Sequence, residues 1–186
     1  MIGGIVAPVK RLLPIALLLV VTAILAGCGS KESSQPATTT DWANGVCTAI
    51  TAWTNSVKSA AAPLKGGNVS KDSLQSATDD VKSATNTLES DLKGLGKPDT
   101  QAGQQAKDSL DQLSSELRTN ADTIQTARDG ASDISGILSA VATVGATLVT
   151  MQSQVSSTFN SLKQLDVKGE LQTAFQQASA CQQLVG

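Results

Sequence analysis

From Asp41 onward, apolar residues recur at alternating steps of three and four, and this spacing limits the possible folds more than any other feature of the chain. A repeat near 3.6 residues gathers those positions on one face of a helix. A half-buried strand would need a repeat of two, and no stretch here supports one. The first segment, Asp41 to Ala62, aligns Val46, Ile50, Trp53, Val57, Ala60 and then Leu64, and stops around Pro63 and Gly66-Gly67. The second opens at Ser70, a good N-cap, with Val69 and Leu74 placed to pack as a hydrophobic staple. Its line runs Leu74, Ala77, Val81, Ala84, Leu88, Leu92 and Leu95, ending at Gly94, Gly96 and Pro98. The third, about Asp99 to Arg128, uses Ala106, Leu110, Leu113, Leu117, Ala121 and Ile124, with Asp129-Gly130 as its stop.

A fourth segment, about Ser132 to Leu165, repeats every seven residues at Ile134, Val141, Leu148, Val155 and Leu162, with Leu138, Gly145, Gln152 and Phe159 as a second line. It carries no charge from Ile134 to Leu162, and burial on most sides as the central helix is the expected reading. A last helix, about Val167 to Val185, carries Leu171, Phe175, Ala178, Cys181 and Val185 after a turn at Asp166 to Gly169. The fold class expected is all-α: an antiparallel helical bundle of four to five helices occupying residues 41–186.

The N-terminus has a different character. Lys10-Arg11 precedes an uncharged, largely apolar run, Leu12 to Leu25, shorter than the roughly 20 residues that span a bilayer. That is the pattern of an export signal, with a retained membrane anchor as the alternative. The run closes on Leu25-Ala26-Gly27-Cys28, which resembles the bacterial lipobox. The resemblance implies cleavage between Gly27 and Cys28, so that residues 1–27 are removed as a lipoprotein signal peptide. It also implies a diacylglyceryl group on the Cys28 thiol, palmitate-type acylation, and attachment to the extracytoplasmic face of a bacterial cell membrane. Two or more acyl chains, at about 0.8 kcal/mol per buried methylene, make a stable anchor where one chain would be marginal.

Residues 28–40 then read as the lipidated Cys and a flexible tether, since Gly29 to Thr40 offers no large apolar residue to seed a core. Such a segment holds the domain roughly 20 Å from its anchor. Its Ser/Thr/Pro content would also suit O-linked sugars. Losing Lys10 and Arg11 takes the formal net charge from −2 to −4, which leaves no basic surplus for nucleic acid.

With Cys28 assigned to lipid, Cys47 and Cys181 remain, in a chain bound for an oxidising compartment. Pairing is the default expectation there, against two unrelated buried thiols or intermolecular pairing. The bond would lie near the start of the first helix and the end of the last. Five helices alternating up and down would put those ends at opposite poles, so one junction is expected not to reverse the chain. Asp166 to Gly169 is the preferred junction, and Asp129-Gly130 the alternative.

Catalytic chemistry finds little support. The chain has no His, which removes the usual general base and the commonest transition-metal ligand. Ser90-Asp91-Leu92-Lys93 matches the spacing of serine–lysine acyl enzymes without their other motifs, and a solvated helix face explains it better. Asp79 and Asp80 diverge by about 100° on a helix and do not form a cation site. No catalytic residue, metal or cofactor is expected. Trp53 reads as core, while Trp42 either touches the membrane interface or covers the bundle end.

Trp42-x-x-x-Val46-Cys47-x-x-Ile50-x-x-Trp53, after a lipobox and tether and with a late cysteine, resembles small Ala/Ser/Thr-rich lipoproteins of high-GC Gram-positive bacteria. The resemblance implies an envelope location and a helical domain, but no activity. The function expected is a non-enzymatic binding or structural module of the cell envelope, anchored to the membrane, with a protein or envelope polymer as partner. The alternative is a carrier of an apolar or lipid ligand, using Val141, Val144 and Leu148. A less favoured reading has the uncharged helix insert into the membrane.

Overall fold

The computed structural model describes residues 38–66 and 69–182. The expected signal peptide with Gly27 and Cys28, most of the expected tether, and Val185 lie outside the described residues. Those residues form helices α1 (Thr39–Ala61), α2 (Lys71–Gly94), α3 (Gly103–Asp129), α4 (Ile134–Leu162), α5 (Glu170–Gln177) and α6 (Ser179–Gln182), with a 3-10 turn at Ala62–Lys65. Among the described residues there is no strand.

Local chemistry sets the helix ends. α1 begins ahead of the expected Asp41 because Thr38 and Asp41 form a reciprocal capping box: the Asp41 N–H donates to Thr38 Oγ1 and the Thr38 N–H to Asp41 Oδ2, both at 3.1 Å. Ser70 caps α2 as expected, accepting from the Ser73 N–H at 3.1 Å. Asp133 caps α4 through the Gly136 N–H at 2.7 Å. α3 starts at Gly103 rather than Asp99, and only glycine fits there, since a Cβ would lie 2.1 Å from the Pro98 carbonyl oxygen.

Cross-links between helices give the topology. Trp42 Nε1 donates to the Gly96 carbonyl at 3.3 Å, so the start of α1 meets the end of α2. Arg128 pairs with Asp79 at 2.6 Å and Arg118 with Glu89, which sets α3 antiparallel to α2. Asn120 Nδ2 donates to Gln154 Oε1 at 2.7 Å, running α4 back along α3. The lower pole thus holds the start of α1 and the end of α4. The core between them contains Val46, Ile50, Trp53, Val57, Leu74, Val81, Leu88, Leu110, Leu117 and Ile124, all on the expected lines. Trp53 Nε1 donates to Thr85 Oγ1 at 3.3 Å. Trp42 is 2% exposed and covers the lower end of the bundle, so of its two readings the membrane-interface contact is overturned.

Cys47 and Cys181 form the disulfide, with Cα atoms 5.0 Å apart. The expectation that one junction fails to reverse is corrected. Asp166–Gly169 does turn the chain: Phe159 and Asn160 of α4 share a cleft with Gln172, Phe175 and Gln176 of α5. Gly169 makes that turn at φ +73°, and Asp166 accepts from the N–H groups of Lys168, Glu170 and Leu171. What lets the cysteines meet is length. The last limb is not one helix over 167–185 but an eight-residue α5 that breaks at Ala178, where ψ is 117°. Such a helix rises only about 12 Å, enough to climb from the pole to the level of Cys47 without crossing the bundle. Asn44 Oδ1 then receives the Ala180 N–H at 3.0 Å and the Ser179 hydroxyl at 3.2 Å.

The expected burial of α4 on most sides is corrected as well. Its core face is Ala140, Val144, Leu148, Met151, Val155 and Leu162, whereas Ile134, Leu138 and Val149 are 79%, 65% and 67% exposed. α4 packs closely on α3 but only lightly on α1. In the lower half the gap between α1 and α4 is bridged, with a cleft left on its α4 side, by α5, which packs mainly on α1. Its Phe175 lies edge-on to both Trp42 (centroids 5.9 Å apart) and Phe159 (5.1 Å). In the upper half no element of the described chain fills it.

Candidate binding groove

The unfilled upper half is a groove of about 260 Å³. One wall is a stripe of α1 and the 3-10 turn, Val57, Lys58, Ala61, Leu64 and Lys65, at the i, i+4, i+7 spacing of a single helix face. The other wall is α4, through Val141, Val144, Gly145, Leu148, Val149 and Gln152. All three residues expected at an apolar site lie here. Val144 and Leu148 are buried in the floor, and Val141 is half-buried on the side. Gly145 widens the groove at its middle, where a Cβ would meet no atom within 4 Å.

The heptad lines of α4 explain the wall. Ile134, Val141 and Leu148 with Leu138, Gly145 and Gln152 share one helix face, which borders the core at Leu148 and otherwise turns toward the gap and solvent. Helical register therefore carries the apolar surface beyond the groove to the exposed Leu138 and Ile134. The two walls differ in charge. α4 contributes no ionisable group, whereas α1 contributes Lys58 and the 3-10 turn Lys65, both exposed at the rim, with no carboxylate among the lining residues. Sequence reasoning missed this rim, although the seven-residue spacing of the two lysines on an otherwise apolar stripe was there to be read.

A larger cleft of about 540 Å³ lies beside the disulfide between α4 and α5. Its rim is rich in carboxamides, and Lys163 Nζ sits 4.6 Å over the Phe159 ring. It brings no acid, base or nucleophile together. Elsewhere the candidate chemistry is committed to holding helices. Lys93 is paired with Glu89 at 2.5 Å and does not serve Ser90, and Asp79 is taken by Arg128. Arg118, with Lys93, holds the Glu89 carboxyl below its ordinary value by ionic hydrogen bonds. Asp166 is likewise lowered, first by the Lys168 N–H and then by those of Leu171 and Glu170. Among the described residues no three His, Cys, Asp or Glu gather as a metal site.

The fold and groove define a class, an all-α bundle closed by a disulfide at one pole and open along one seam at the other. No family model, curated protein or solved structure matches this chain.

Proposed function

We propose that this is a membrane-anchored extracytoplasmic lipoprotein, cleaved between Gly27 and Cys28 and lipidated on Cys28, which acts as a non-enzymatic binding module of the cell envelope. The groove between α1 and α4 is its binding face, and a protein or envelope polymer is its partner. The observation that carries this reading is the exposed apolar face of α4. Leaving Ile134, Leu138 and Val149 in water forgoes burial worth about 1.5–3 kcal/mol for each large side chain, a cost to stability that an occupant would offset.

Two measurements test it. Mass spectrometry of the N-terminal peptide is expected to give a diacylglyceryl-modified Cys28, and an uncleaved N-terminus would overturn the anchor. A photo-crosslinking residue in place of Val149 in growing cells is expected to yield an adduct that the same residue at Ser115, exposed on α3, does not. Equal adducts at both sites, or none, or turnover by the purified protein, would overturn the binding role.

A second reading, a carrier of an apolar ligand, is favoured by the buried, apolar floor of Val144 and Leu148. It expects lipid mass to persist in native mass spectra of protein purified without added lipid. Membrane insertion of α4, which is long and apolar enough to cross a bilayer, expects dye leakage from liposomes.

A further inference from the structure

We infer that the groove is a seat for an amphipathic helix of a partner protein, about three turns long, with carboxylates along the flank that faces α1. The inference rests on the binding-module reading above and names its partner's chemistry. α5 is the precedent within the molecule. It is a short helix that packs on α1 with Leu171, Ala174 and Phe175 buried, and its Phe175 reaches across to Phe159 of α4. The upper half continues that interface with no helix of the described chain in it.

Three features fit a helix better than other occupants. The facing residues of α4 repeat in heptads, the spacing that meshes with another helix. Gly145 stands at the middle of that seam with open space above it, so a partner backbone can approach closely there. The span from Val141 to Gln152 is about 17 Å, the length of three helical turns. Charge then selects the partner: Lys58 and Lys65 stand along one rim only, and α4 has nothing to neutralise them. A second copy of this chain would bring the same uncharged stripe and the same lysines, hence no carboxylate. An acyl chain would use the floor and leave one of two widely spaced lysines idle.

The experiment uses the whole chain from residue 28 with Cys28→Ser, and a labelled hydrocarbon-stapled helix of about fourteen residues bearing leucines at heptad spacing. One version carries Glu along the flank and its twin carries Lys. The Glu version is expected to bind saturably and roughly fivefold to tenfold more tightly than the twin, with the difference shrinking in high salt. Lys58→Glu with Lys65→Glu is expected to reverse that preference. Gly145→Leu fills the groove from open space and is expected to abolish binding with an unchanged helical signal, and Val149→Glu provides an independent block.

Binding that survives both blocks, or no binding by either peptide, overturns the helix. If oleate binds and Gly145→Leu removes it while neither peptide binds, the helix is overturned but the groove remains a binding face. A dimer by sedimentation that Gly145→Leu dissociates overturns the helix in favour of a second copy. Failure of every probe, joined with no position-specific adduct at Val149, overturns the binding module itself.

Discussion

The gap between α1 and α4 is one structural seam in two conditions. Below, α5 enters it, Phe175 meets Trp42 and Phe159, and a disulfide fixes the last limb to the first helix. Above, Val57, Ala61 and Leu64 face Val141, Val144 and Leu148 beneath a rim of Lys58 and Lys65, and Ile134, Leu138 and Val149 are exposed. Both halves have apolar residues on the two walls, and among the described residues a further helix lies along only one of them. Apolar periodicity therefore locates surfaces that want a partner without saying whether the partner is internal.

Mutations should separate the halves by the size of their effect on stability. Replacing Cys47 and Cys181 by Ser reopens a loop spanning 134 residues. It is expected to lower unfolding free energy by about 5 kcal/mol in the chain-entropy model, read by chemical denaturation. An unchanged midpoint would mean that α5 and α6 are held in place without the bond. Phe175→Ala removes the buried side chain that joins Trp42 and Phe159 in the lower half, and a loss of about 3–5 kcal/mol is expected.

Glu89 lies outside the seam and serves as a control. Its folded-state pKa is lowered, so its contribution is complete above the unfolded-state value and vanishes as pH falls through the folded-state value. Glu89→Gln is expected to cost about 1 kcal/mol at neutral pH, with wild type and variant converging in acid melts. The upper half should respond least. Ile134→Ser with Leu138→Ser is expected to shift stability by no more than about 0.5 kcal/mol per site while abolishing the Val149 adduct. A loss comparable with that of Phe175→Ala would show the upper half to be core, which would dissolve the contrast.

Much of this arrangement was legible from spacing alone. The lines through Val46, Ile50, Trp53 and Val57, through Leu74, Val81 and Leu88, and through Leu110, Leu117 and Ile124 are all buried. Each of those helices has one apolar face, and one face has one solution. The disulfide followed from the count of cysteines. α4 was read only in part because it is apolar on two faces: of the heptad line, Leu148, Val155 and Leu162 are core, while Ile134 with Leu138 and Gly145 of the second line is exposed and Ala140, Val144 and Met151 complete the core face. The break at Ala178 was invisible because no Gly or Pro marks it and its neighbours Gln177 and Ser179 are compatible with a helix. One wrong helix length then led to a wrong requirement on the turns. At the groove, Val141, Val144 and Leu148 could be found, but Lys58 and Lys65 could not be joined to them without knowing which helices flank the gap.

The link between Cys47 and Cys181 also governs what becomes of the molecule if its backbone is cut. Every connection between helices, at 62–70, 95–102, 130–133, 163–169 and the break at Ala178, falls inside the ring that the bond closes. A protease that nicks any one of them leaves both pieces covalently joined to the same N-terminal segment. Neither is shed from that segment until the disulfide is reduced, so loss of the domain by a single cut in these loops would take two chemically different events.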